Sequence, residues 1–338
     1  MVITRRVQVD VRVVVAIMAA FVAVVGLLFS SHAVFAADNN GANTLKVTPV
    51  RSDIEIEPGA SKTVPTTVTN LTKAPITVRP IENDFVAGDE RGTPALILDA
   101  DKYAPTHSLK RFMAPLADVT IPAGKSVTVN VVITVPKGTQ AGGYFGAVRF
   151  APTSPDDGGQ VNLSASVASL ILLTVPGDTV EKLELTDFSI QQGGVTGTMF
   201  SSSNDLQTTV RFQNNGNVQI APFGKVSVKQ GDKVVYAADF NTTTPRDTIL
   251  PDSARRWDIP LKNIDSFGQY TVVGTFTYGK KNQTIEVSKS FWVIPQSVII
   301  AAVLGVIVLI GLIVALILYL RNRKRRNNSR SNNGNLRL

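Results

Sequence analysis

The sequence predicts an all-β protein built from two tandem antiparallel β-sandwiches, with an apolar leader before them and an apolar helix and basic tail after them. Three observations carry this. Runs of alternating and β-branched residues recur from Leu45 to Ile294, broken by Pro, Gly and Asn clusters. No 3.6-residue apolar stripe persists for three turns across the same stretch. The roughly 260 residues between the two apolar segments suit two domains of about 100–150 residues each.

The leader comes first. Arg5, Arg6 and Arg12 precede an apolar run, Val13–Phe29, and Ser31–Ala36 (SHAVFA) ends in small residues, so cleavage is expected after Ala36 and residues 1–36 read as a signal peptide. An uncleaved first helix is the alternative, since 17 apolar residues lie near the lower limit for crossing a bilayer. Under both readings the following residues are exported. Residues 37–44 form a polar lead-in.

The first sandwich is expected over 45–177. Asp53–Glu57 sets Ile54 and Ile56 on one face and three carboxylates on the other, ending at Pro58-Gly59. Lys62–Asn70 and Ala74–Val86 follow around a turn at Leu71–Lys73, then a polar loop at Gly88–Pro94. Lys102–Met113 is the one candidate for a short helical turn. Ser126–Val135 and Ala141–Phe150 read as strands, Pro152–Gly159 as a turn-rich break, and Val161–Val175 as a central strand buried on both faces. Pro176-Gly177-Asp178 marks the boundary. The second sandwich, 178–295, restarts the pattern with runs at 180–190, 206–213, 218–229, 233–240, 255–261, 269–278 and 284–294. Both halves open alike, with a strand ending in Asn-x-Thr or Asn-x-Gly, which hints at related folds.

From Val298 to Leu320 the chain has 23 residues without a charged side chain, then Arg321, Arg323, Lys324, Arg325, Arg326, Arg330 and Arg337 with no acidic residue. The apolar run suits a transmembrane helix, and the basic cluster 321–338 suits a cytoplasmic tail too polar to fold. Phe291, Trp292 and Tyr319 flank the span, where aromatic rings favour the headgroup level. Gly305 and Gly311 lie six apart, so no GxxxG face supports self-association.

The formal charge of +8 resolves by region. Of 34 basic residues three lie in the leader and seven after Leu320, and of 26 acidic residues one, Asp10, lies in the leader. That leaves 24 basic against 25 acidic residues, scattered, so the basicity reports topology and nucleic acid is excluded as a partner. The chain has no Cys, which removes a disulfide scaffold and a lipid-modified cysteine, and no LPxTG-like motif precedes the helix. The four Asn-x-Ser/Thr sites between the leader and the apolar span (Asn70, Asn162, Asn241, Asn282) read as ordinary turn and strand residues.

Catalytic chemistry finds little footing. His107 is the one histidine beyond the leader, and no Gly-x-Ser-x-Gly elbow accompanies it. Acid pairs for a cell-wall hydrolase are not marked by spacing. Asp99/Asp101 and Asp84/Asp89/Glu90 are the oxygen clusters a calcium ion would need, but no complete loop exists and they read as solvated loop carboxylates. No metal or cofactor is expected. Gly142, Gly143 and Gly146 thin one strand, which implies close approach of another backbone or ring. Tyr144 and Phe145 point to opposite faces, one filling the core and the other free to cover a neighbouring strand or stack on a ligand, so Tyr144, Phe145 and Arg149 are the binding candidates.

Pro136-Lys-Gly138 leading into Ala141-Gly-Gly-Tyr-Phe-Gly-Ala-Val-Arg-Phe150 resembles the "vP…aGgyyGavrf" strand of the DUF916-type, or WxL-interacting, surface proteins. Phe212-Gln-Asn-Asn-Gly-Asn217 with Pro222-Phe-Gly224 is similar to a second stretch of that group. So are Leu250-Pro251 with Arg255, Gly268-Gln-Tyr270, Tyr278-Gly279 and Phe291–Pro295 before a terminal helix. The resemblance covers roughly Leu45 to the C-terminus. It implies two Ig-like sandwich domains, the first binding peptidoglycan and the second engaging partner proteins. The expectation is a non-catalytic, single-pass surface protein contacting cell-wall glycan (peptidoglycan) or another surface protein; a structural or assembly role is the alternative.

Overall fold

A computed structural model describes residues 44–153, 166–265 and 267–331. The leader with its cleavage site, residues 37–43 of the lead-in, most of the Pro152–Gly159 break, residues 161–165 and the last seven residues lie outside the described residues.

The first half runs β1 (Leu45–Thr48), β2 (Arg51–Glu55), β3 (Ser61–Asn70), β4 (Ile76–Ala87), β5 (Pro94–Leu96), β6 (Val119–Ile121), β7 (Ser126–Thr134), β8 (Gly142–Pro152) and β9 (Val167–Val175). One sheet has the order β1-β3-β7; the other has β2-β9-β8-β4-β5, with β6 also on β4. Alternation explains the layering. In β7 the odd residues Val129, Val131 and Ile133 turn inward and meet Val148, Phe150, Ile171 and Leu173 from the facing sheet. β9 lies between β2 and β8, and its middle is covered on both faces, Ile171 and Leu173 on one and Leu172 on the other. That is why the part of the expected Val161–Val175 strand that is described, Val167–Val175, reads as a largely apolar run.

The second half runs β10 (Leu183–Gln192), β11 (Val195–Thr196), β12 (Met199–Phe200), β13 (Leu206–Asn214), β14 (Phe223–Gln230), β15 (Lys233–Phe240), β16 (Ala254–Pro260), β17 (Gly268–Tyr278) and β18 (Gln283–Val293). Its sheets are β11-β10-β13-β16 and β12-β18-β17-β14-β15. A separate core of aromatic rings joins them: Phe212 lies edge-on to Phe276 at 5.1 Å, and Phe240 to Phe276 at 5.0 Å. Fully burying side chains of this size stabilises by about 1.5–3 kcal/mol each.

Among the described strands, pairing is antiparallel except twice. β2 runs parallel to β9 and β12 parallel to β18, so in each half a short early strand crosses to the second sheet and joins the half's last strand. The Asn-x-Thr and Asn-x-Gly echo has a shared cause. Asn70 donates through Nδ2 to the carbonyls of Ala74 (2.7 Å) and Ile121 (3.1 Å), while its Oδ1 accepts from the Thr72 N–H. Asn214 does the same with Val218 (2.8 Å), Ile249 (2.9 Å) and the Gly216 N–H. Both are fully buried, so each amide replaces water for a whole turn.

Among the described residues a short 3-10 helix, Lys110–Phe112, lies within the expected helical turn, and the one α-helix, α1 (Gln296–Ser331), departs from the expected limits. It starts two residues before Val298 and carries on through Leu320 into the basic segment. Pro295 preorganises its first turn, with its carbonyl accepting from the Val298 N–H at 3.0 Å. Once the apolar turns have formed, each added residue costs no new nucleus, and past Leu320 no Pro or Gly interrupts until Gly334. The tail as far as Ser331 is therefore helical. Tyr319, Arg321, Arg323, Lys324, Arg325 and Arg326 ride on α1, their side chains outside the described residues. Phe291 leaves the expected aromatic flank: it is fully buried and stacks on Tyr270 at 5.6 Å. Its position on β18 faces the core, whereas Trp292 faces out.

Candidate functional site

The site grows from three polar residues at the end of β4. Glu82 Oε1 accepts from the Leu116 N–H, Asn83 Nδ2 donates to the Ile97 carbonyl, and Asp84 accepts from the N–H groups of Ala104 (2.9 Å) and Lys110 (2.8 Å). These bonds hold the long β5–β6 connection, 97–118, against the end of the sheet. Asp84 is thus a buried organiser of backbone, not the solvated loop carboxylate expected. The other acids are engaged too. Asp89 accepts from the N–H groups of Arg91 and Thr93, and the Thr93 bond first among them holds its carboxyl below the usual range. Asp99 pairs with Lys102 at 3.1 Å. Among the described residues no three His, Asp or Glu side chains converge as a metal site would require.

The connection closes over Tyr144. Its ring packs on Phe112 at 5.0 Å and lies edge-on to His107 at 6.3 Å, and its hydroxyl donates to the Gln140 carbonyl at 2.9 Å. Burial pushes the phenol above its ordinary pKa, so it remains a neutral donor. His107 has φ +60°, and its Nδ1 lies 2.6 Å from the Gly143 carbonyl; a carbonyl only accepts, so Nδ1 carries the proton. Ala104, Thr106, His107, Ser108, Arg111 and Tyr144 bound an open pocket of about 200 Å³. Ser108 Oγ, in a residue 5% exposed, has no partner there. Beside it Tyr103 is 46% exposed, and its ring lies 4.8 Å from the Arg111 guanidinium and 5.0 Å from Lys110 Nζ. The surface thus offers one aromatic face, two cations and an imidazole, while the Ser108 hydroxyl lies buried beneath it. That set suits a hydroxyl-rich ligand bearing carboxylates.

The three binding candidates separate. Tyr144 lines the pocket. Phe145, 3% exposed, fills a small core with Phe85, Ala147 and Leu172 on the opposite face of β8, so it has no surface for a ligand. Arg149 shares that opposite face and donates to Asn83 Oδ1 at 3.3 Å, away from Tyr144.

The glycines do mark a close approach, and it is made by the chain itself. The Gly143 N–H donates to the Asn217 carbonyl at 2.8 Å, Asn217 Nδ2 donates to the Ala141 carbonyl, and Gln219 donates to Thr174. A Cβ on Gly142 (φ +150°) would stand 2.8 Å from Asn217 O. Ala141–Phe150 and Phe212–Asn217, some seventy residues apart, therefore meet as a junction between the halves. Gly146 makes room for Met113 and Leu109 of the connection. Glu90 reinforces the junction with two bonds from Arg211 (2.6 and 2.9 Å), which hold its carboxyl below the usual range. A cleft of about 260 Å³ opens nearby, lined by Phe85, Leu170, Leu172, Ile249 and Leu250, with Arg255 held on Asp247.

No family profile matches. No curated protein matches either. Among solved structures, the class 5 fimbriae chaperone CfaA is 15% identical, with 72% of this chain and 98% of that chain covered and a TM-score of 0.39. The CsuC–CsuE chaperone–tip subunit complex of Acinetobacter baumannii gives 12%, 72%, 97% and 0.36. The Pseudomonas aeruginosa CupB2 chaperone gives 9%, 72%, 99% and 0.32. At these identities and TM-scores the likeness lends the chain no function.

Sequence reasoning missed Tyr103, Arg111 and Ser108. They sit in an irregular segment without periodicity, and only the Glu82-Asn83-Asp84 run, polar inside a strand, hinted that something would be held there.

Proposed function

We propose that the chain is a non-catalytic, membrane-anchored surface protein of the WxL-interacting type. In this reading its two layered halves are tandem Ig-like domains outside the cell, α1 spans the membrane, and the first domain binds peptidoglycan. The observation that carries the reading is the exposed Tyr103 ring, flanked by Lys110 and Arg111, adjoining the polar pocket of Tyr144, His107 and Ser108. Sugar rings stack on an aromatic face, and the carboxylates of wall peptides suit the two cations. Full-length protein in detergent micelles, incubated with insoluble peptidoglycan and sedimented, tests it. Wild type should pellet with the wall, and Tyr103→Ala with Arg111→Gln should stay in solution. Equal pelleting of both, or none of either, contradicts the proposal.

A second reading, docking of a protein partner, is favoured by the apolar cleft between the halves. Cross-linking from this cleft in intact membranes, with recovery of a protein and no wall material, would support it.

A further inference from the structure

The two ends of the second half differ in chemistry. At one end lie the Asn214 turn, Ser253 and the Tyr278–Gln283 turn, where the first half is joined. The other end gathers the close of β10, the close of β14, the start of β17 and the close of β18, as the pairings of Gly268 with Val293 and Phe200 with Val293 require. The eleven residues of β17 set the two ends roughly 35 Å apart.

Among the described residues, six large apolar side chains of the second half are exposed: Val180, Val195, Met199, Val234, Phe267 and Trp292. Val180 is at the junction. The other five are at the opposite end. Val195 follows the Gly193-Gly194 turn that closes β10, and Val234 follows the Gly231-Asp232 turn that closes β14. Met199 is the direct neighbour of Trp292, and Phe267 immediately precedes Gly268. Scattered apolar residues on a surface need no explanation, but a set gathered at one end does.

That end is also where α1 begins. Three residues separate Trp292 from Gln296, so at most about 14 Å of extended chain lies between them. Headgroup layers are roughly 5–7 Å thick on each side of the hydrocarbon core. If α1 crosses the bilayer, this spacing leaves room for headgroups and none for a folded partner. Lys229, Lys233 and Lys262 stand at this end against Asp205, Asp232 and Asp265, so the end is electrically balanced and its apolar side chains carry the argument.

We infer that Val195, Met199, Val234, Phe267 and Trp292 form a lipid-contacting foot that settles at the headgroup–acyl boundary and holds the second half against the bilayer. This rests on the reading of α1 as membrane-spanning.

The test uses full-length protein in liposomes. The chain has two tryptophans, and Trp257 is packed among Phe212 and Phe240, so the difference between wild type and Trp292→Phe isolates the Trp292 emission. Lipids brominated near the headgroup should remove most of that difference signal, and aqueous iodide should leave it. Because the chain lacks cysteine, Met199→Cys and Phe267→Cys accept a polarity-sensitive dye cleanly, and both should shift to the blue on reconstitution. Gly311→Cys, mid-way along α1, separates the two claims through a membrane-impermeant maleimide. If Gly311→Cys is protected while iodide quenches Trp292 and neither dye shifts, the foot is overturned and the spanning helix stands. If Gly311→Cys labels freely, the spanning helix falls and the foot with it.

Discussion

Removing the Asn214 amide gives the most direct view of what holds the second half. In Asn214→Ala three hydrogen bonds vanish: two donated to the carbonyls of Val218 and Ile249, and one accepted from the Gly216 N–H. Ile249 keeps the Ile220 N–H on its carbonyl, so that oxygen is not orphaned. Each lost bond costs about 1 kcal/mol net, and more where the partner stays buried without water, so the loss is about 3 kcal/mol. Trp257 packs on Phe212 and Phe240 and reports the unfolding of this core. With a slope of about 1.5 kcal/mol per M, the urea midpoint read from Trp257 in micelles should fall by about 2 M. Asn70→Ala, equivalent in the first half, should leave the Trp257 transition nearly in place, because its core is separate. A shift of less than about 0.5 M for Asn214→Ala would mean that the turn does not depend on the amide. Equal shifts for both variants would mean that the halves unfold as one unit.

Three further outcomes are expected. Glu90 is held below the ordinary carboxylate range by Arg211, so its contribution is present above the unfolded pKa, roughly 4.3, and is lost as pH falls through the folded value; wild-type thermal stability should decline below about pH 4.5 more steeply than that of Glu90→Gln. Identical acid limbs would remove Glu90 from the junction. Gly142→Ala drives a Cβ to 2.8 Å from Asn217 O at φ +150°, an overpacking cost of about 1–3 kcal/mol, and limited proteolysis should cut faster at Pro176–Lys182 with both cores intact. Tyr144→Phe removes the bond to Gln140 but keeps the ring on Phe112, so stability should drop by only about 1 kcal/mol in thermal melts.

Much of the strand layout was legible because alternation is a local signal. Lys62–Asn70, Gln269–Tyr278 and Thr284–Ile294 lie within a residue or two of β3, β17 and β18. The short strands β1, β5, β6, β11 and β12 were not, since two to four residues carry no period and pair only because a neighbour is already in place. Val218–Lys229 begins late as β14, because Val218–Pro222 is taken up by the Asn214 turn and the Ile220–Ile249 bridge. The glycines of Ala141–Phe150 announced a close approach, yet its partner, Asn217, lay beyond any local pattern. The choice between Tyr144 and Phe145 was settled by which face of β8 the second half covers, through Leu250 beside Phe145. The helix limit was misplaced for a different reason: polarity says where a bilayer ends, and hydrogen bonding says where a helix does.

Hydrogen–deuterium exchange of the full-length protein, with and without a soluble disaccharide–peptide fragment of peptidoglycan, tests the central claim most directly. The proposal predicts slowed exchange at Tyr103–Phe112 and at Tyr144, with the Asn214 turn and β18 unchanged. Protection confined to the cleft around Leu170 and Leu250, or no protection anywhere, would contradict it.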